Sequence, residues 1–102
     1  MIPLITDHTD DIAEICRRHH VKRLELFGSA AVGDFNPEKS DIDFLVDYHP
    51  FPGPGKADAY FGLLEDLQQL FDRQIDLVVD RAIENPYFRK SLDETKISIY
   101  ES

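Results

Sequence analysis

The chain of 102 residues has one cysteine, Cys16, and no tryptophan. A single thiol closes no internal disulfide, so packing must hold the fold, and a reducing cytoplasm is the expected compartment. No apolar run reaches the ~18 residues of a membrane-spanning helix. The opening MIPLITDHTD has neither a basic flank nor a long apolar stretch, so no secretory leader is expected. Cations are scarce: Lys and Arg total 11 against 20 Asp and Glu, a formal net charge of -9. Such a field repels nucleic acid, and free nucleotide too unless metal ions stand between, while it attracts a basic protein. Glycine and proline are few, and HPFPGPGK at 49–56 is the one stretch rich in both, read as a plain surface loop ahead of a lid over nucleotide. Length and 42% hydrophobic content suit one domain spanning residues 1–102.

Periodicity supplies the elements. Residues 6–20 read as a helix with Ile12, Ala13 and Cys16 on one face, capped by Thr6, Asp7 or Thr9. VKRLELF at 21–27 alternates as a strand. AAVGD is a short helical turn, and FNPEKS a loop. DIDFLVDY at 41–48 is a second strand, with Ile42, Phe44, Val46 and Tyr48 on one face and Asp43, Leu45 and Asp47 on the other. Residues 57–71 form an amphipathic helix with Tyr60, Phe61, Leu64, Leu67 and Phe71 in its stripe, widened by Leu63 and Leu70. QIDLVVD is a third strand, with Ile75, Leu77 and Val79 opposed to Asp76, Val78 and Asp80. One or two short helices surround Pro86, where Tyr87 and Phe88 either face a partner or, the favoured reading, anchor the helix, and KISIY is a last strand. The order predicts an α/β (α+β) domain with helices packed on a small mixed sheet, its first two strands antiparallel.

The chemistry lies in FGSAAVGDFNPEKSDIDFLVDY, residues 27–48. Residues i and i+2 of a strand point the same way, so Asp41 and Asp43 aim two carboxylates at one place. Two like charges this close raise a pKa or weaken the fold, and a bound cation relieves both. Hard oxygen donors suit Mg²⁺, and a pair of such ions serves in-line phosphoryl transfer. Gly28 and Ser29 end the preceding strand, where glycine admits close backbone approach and exposed N–H groups grip phosphate. Asp76 on the third strand offers a third carboxylate. Asp47 shares the face of Asp43 but lies further along, read as a supporting or solvated group. Cys16 with His19 and His20 does not make a zinc ligand set.

Gly-Ser, a spacer, Asp-x-Asp and a later Asp resemble the signature of the DNA polymerase β-like nucleotidyltransferase superfamily. The compact length, and RAIENPYFRKSLDETKISIYE at the C-terminal end, resemble its minimal nucleotidyltransferases, the MNT or MntA-type antitoxins. The resemblance implies the nucleotidyltransferase fold and use of ATP with Mg²⁺, two ions being the expectation. It implies phosphate binding by Gly28 and Ser29, with metal ligation and catalysis by Asp41, Asp43 and Asp76. It also implies a partner, a HEPN-domain RNase toxin, to whose tyrosine the antitoxin transfers AMP. Two departures stand out. The spacer from Ala30 to Ser40 has eleven residues, one more than the common form, and Val32 stands where many relatives carry a basic residue. Two other readings stay open: a module that neutralises its partner by contact alone, and a transferase acting on a small molecule.

Overall fold

In the computed structural model the described residues are 3–32, 41–50 and 55–102. Helix α1 spans Pro3–Thr6 and α2 Thr9–Arg18, followed by strand β1 at Val21–Phe27. A four-residue α3, Ser29–Val32, leads toward β2 at Ile42–Tyr48. Helix α4, Lys56–Phe71, crosses to β3 at Ile75–Val79; a 3₁₀ turn, Asp80–Ala82, then precedes α5 at Pro86–Thr95 and β4 at Ile97–Glu101.

The sheet order is β3-β2-β1-β4. β1 is antiparallel to β2 and to β4, whereas β2 and β3 are parallel. The parallel pair requires a crossover, and α4 supplies it. The mixed sheet with packed helices is the architecture the periodicity predicted.

One sheet face is a dry core. Leu24, Leu26, Ile42, Phe44, Val46 and Leu77 are buried there with Ile12, Ile15 and Cys16 of α2 and Leu63, Leu67 and Phe71 of α4. Each fully buried large aliphatic or aromatic side chain contributes about 1.5–3 kcal/mol. His19 at the end of α2 fastens the two helices: its Nε2 lies 2.6 Å from Asp66 Oδ2. Gly62 makes room for that ring, since a Cβ there would stand 2.7 Å from His19 Cε1.

The other face carries Arg23, Glu25 and Phe27 beside Asp43, Leu45 and Asp47. Helix α5 is tied to it. Phe88 packs edge-on against Phe27 at 6.1 Å, and Lys96, just beyond the helix, reaches Glu25 at 3.5 Å. Asn85 caps α5, accepting from the backbone N–H of Tyr87 at 2.9 Å and of Phe88 at 3.2 Å, with Pro86 at the first helical position.

Four local expectations are corrected. His8, not Thr6, Asp7 or Thr9, precedes α2, and it makes no side-chain cap bond; the Thr6 and Thr9 hydroxyls donate instead to the carbonyls of Pro3 and Thr6. Phe61 is 63% exposed, because the buried stripe of α4 runs through Ala59, Leu63, Leu67 and Phe71. Asp47 is buried, not solvated, and bonds Arg81 Nε at 2.8 Å. Of the proposed aromatic anchor, Phe88 packs whereas Tyr87 is 84% exposed.

Candidate active site

The antiparallel register places Phe27 opposite Asp43, so Gly28, the next residue, stands at the Asp43 carboxylate. Gly28 adopts φ +70, a left-handed conformation that ends β1 and is costly for residues bearing a Cβ. A Cβ at this position would fall on Asp43 Oδ2 and lie 3.1 Å from Asp43 Cγ. The missing side chain thus makes space for a carboxylate, besides freeing the backbone. The Ala31 N–H donates to the Gly28 carbonyl at 3.1 Å, and the chain turns into α3 with Ser29 first.

The parallel register sets Asp43 directly beside Asp76. Asp41 immediately precedes β2, near enough for its charge to act on Asp43. Gly28, Asp43 and Asp76 therefore adjoin at one end of the sheet, with Ser29 and Asp41 close to them along the chain. Burial pushes the Asp43 carboxyl up to about 6, and the charges of Asp76 and then Asp41 push it the same way. Such a carboxylate gains from a cation beside it.

The donor chemistry fits Mg²⁺: oxygen ligands that repel one another, with Asp41 and Asp76 exposed. Yet among the described residues no group of three or more His, Cys, Asp or Glu is positioned to hold a metal ion. The two facts are compatible. Asp41 and Asp76 are exposed, and exposed side chains keep the rotamer freedom that packed ones lose. Residues 33–40 of the spacer and residues 51–54 of the Pro/Gly-rich loop lie outside the described residues, as does the side chain of Val32.

Further along the same face lies a charge network that sequence reasoning did not assemble. Arg23 bonds Glu25 at 3.1 Å and Asp80 at 3.0 Å; Arg89 pairs with Asp80, and Arg81 holds Asp47. Burial raises the Asp80 carboxyl, but hydrogen bonds from Arg89 and Arg23, and their charges, hold it below the usual carboxylate range. The available signal was alternation: Asp43, Asp47, Asp76 and Asp80 all fall on one strand face. Their arginine partners come from β1, the 3₁₀ turn and α5, which periodicity does not align.

A glycine turn beside paired carboxylates on a mixed sheet is what β1, β2 and β3 build. The chain belongs to the nucleotidyltransferase-domain family, whose model matches residues 10–99. Two Methanocaldococcus jannaschii relatives named "Putative protein adenylyltransferase", MJ1379 and MJ0128, are 35% and 37% identical over 97 residues, covering 87% of this chain and 95% of each relative. The fold is similar to a "putative minimal nucleotidyltransferase" with TM-score 0.75 and 26% identity, covering 94% of this chain and 95% of that one. It is also similar to a chain of the tri-AMPylated Shewanella oneidensis HEPN toxin in complex with MNT antitoxin, with TM-score 0.65 and 18% identity, covering 96% and 73%. A toxin–antitoxin structure with AMP-PNP gives TM-score 0.68 and 21% identity, covering 92% and 73%. Among the described residues no helix is long and apolar enough to cross a membrane.

Proposed function

We propose that this nucleotidyltransferase is the antitoxin of a toxin–antitoxin pair and transfers AMP from ATP to a tyrosine of a HEPN-type RNase partner in the cytoplasm. The observation that carries the reading is the meeting of Gly28, Asp43 and Asp76 through two strand registers. The names of the archaeal relatives support protein as the acceptor class, and the complexes of the structural neighbours support the partner. The net charge of -9 suits a basic protein better than RNA or DNA.

In this reading the backbone N–H groups at Gly28 and Ser29 hold the triphosphate oxygens. Asp41, Asp43 and Asp76 would hold Mg²⁺, which when bound neutralises the triphosphate and the departing pyrophosphate. Asp76, the more exposed of the facing pair, takes the proton of the acceptor hydroxyl. The acceptor oxygen attacks the α-phosphorus in line, the bond to the β-phosphate bridging oxygen breaks, and pyrophosphate leaves. The product is an AMP ester on the acceptor.

The test uses purified protein, Mg²⁺ and ATP labelled at the α-phosphate, together with the co-expressed partner or a lysate of the source cells. A protein band labelled from the α- but not the γ-position, and absent with Asp41→Asn/Asp43→Asn, is the expected result. A partner neutralised equally by wild type and double mutant, without label, would retire the catalytic role in favour of binding alone. Label appearing only in a small molecule would replace the acceptor class.

A further inference from the structure

A second cavity chemistry sits away from the carboxylates. About 580 Å³ opens between the C-terminal ends of β2 and β3, the first turns of α4 and the 3₁₀ turn. That volume falls in the range of small-molecule sites. Its Asp47 lies four residues along β2 from Asp43, about 13 Å at the strand rise, so the cavity is distinct from the transfer site.

We propose that this cavity binds a small organic anion: a flat apolar ring carrying one phosphate or carboxylate.

The charge argument comes first. Among the described residues, Arg81 and Lys56 line the cavity with a single carboxylate, Asp47. In a chain of net charge -9 this is a local reversal of sign. Asp47 is already engaged, accepting from Arg81 Nε at 2.8 Å, and its side chain is only 10% exposed. The guanidinium is thereby anchored through one edge. Its side chain remains 64% exposed, and its one further contact, to the Tyr48 carbonyl, is long at 3.5 Å. An arginine fixed in this way presents its terminal nitrogens to a phosphate or carboxylate with little ordering cost. Lys56 makes no ion pair among the described residues. The first turn of α4 has no side-chain cap, so its dipole adds to the same field.

The walls supply the ring site. Tyr60 is held by a hydrogen bond from its hydroxyl to the Leu77 carbonyl at 2.7 Å and by edge contact with Phe61 at 5.3 Å. Its ring, the ring of Tyr48 and the small side chains of Ala57 and Ala82 make the lining chiefly apolar. Rigid aromatic walls with cations at one side select an anion that has a planar body over bare phosphate.

The experiment is a titration of the full ¹⁵N-labelled chain by NMR, with phenyl phosphate, benzoate and inorganic phosphate as probes. Saturable shifts at Lys56, Ala57, Tyr60 and Arg81 with phenyl phosphate or benzoate are expected, whichever of the two binds naming the anionic group. Inorganic phosphate should bind about tenfold more weakly or worse. Lys56→Glu should weaken binding at least about tenfold, and Ala57→Trp, on an exposed helix position, should abolish it while the spectrum stays folded. Shifts confined to Gly28 and Ser29, no saturable shift by about 20 mM ring probe, inorganic phosphate binding as well as the ring probes, or equal affinity of the Lys56→Glu variant would each overturn the site.

Discussion

Gly28 and Asp43 occupy complementary space: the side chain that residue 28 lacks is where the carboxylate of Asp43 sits. The antiparallel register of β1 and β2 creates this neighbourhood, and the φ of +70 at Gly28 keeps it. Gly28→Ala therefore combines a left-handed alanine, costing about 1–2 kcal/mol, with displacement of Asp43. We expect a lower Tm and transfer reduced by about a hundredfold or more, since misplacing a reacting group by an ångström has that scale of effect. Wild-type rates in Gly28→Ala would show that the carboxylate is not needed where it stands.

Asp43 separates stability from function. Its carboxyl, pushed up to about 6, binds its proton more tightly in the folded chain than the ordinary 3.8 of an unfolded one. Folding stability contributed by this group therefore falls as pH rises from about 4 through 6 and stays low above. Asp43→Asn should raise Tm at pH 7.5, leave it nearly unchanged at pH 3.5, and abolish transfer. Thermal melts at the two pH values check the sign. A variant less stable than wild type at pH 7.5 would mean that the charge is already compensated.

Mg²⁺ should act on the same group without any substrate. In millimolar Mg²⁺ wild-type Tm at pH 7.5 rises, and the rise shrinks in Asp43→Asn and in Asp76→Asn. The mass-action gain is about 0.4 kcal/mol at a free concentration equal to Kd and about 2.7 kcal/mol at a hundredfold excess. Equal shifts in all three proteins would assign the ion to another place.

Asp80 fastens α5 by accepting from Arg23 and Arg89. Its carboxyl is held low by these partners, so the stability it gives is present at neutral pH and is lost as pH falls below the ordinary carboxylate range. Asp80→Ala leaves two arginines without their shared acceptor and should cost about 2–4 kcal/mol. Faster amide exchange in Pro86–Thr95 than in α4 would show that α5 loosens first; uniform acceleration would place the loss in the whole fold.

Cys16 is buried against α4, and burial pushes its thiol up to about 12. The native chain should resist iodoacetamide at pH 8 and react fully in denaturant. Cys16→Ser buries a hydroxyl in place of a weakly polar thiol and should cost about 1–3 kcal/mol. Rapid native-state alkylation would mean that α2 opens readily.

The sequence alone determined the strands, the amphipathic helices and the two faces of β2, because alternation at a period of two and a glycine at a strand end are local properties. It also marked Gly28-Ser29 and Asp41-x-Asp43 as candidates for phosphate and metal, since these are short spacings that a turn and a strand start carry. Tertiary structure decided what distance along the chain conceals. Asp76 stands 33 residues after Asp43, and only the parallel register of β2 and β3 makes them neighbours. Asp47 resembles Asp43 in its surroundings along the chain, yet Arg81 from the 3₁₀ turn balances the charge of one while Asp76 and Asp41 repel the charge of the other. Pairing between segments depends on sheet order and crossover direction, which no local pattern carries, and that pairing sets which carboxylate is held by an arginine and which stands beside another carboxylate.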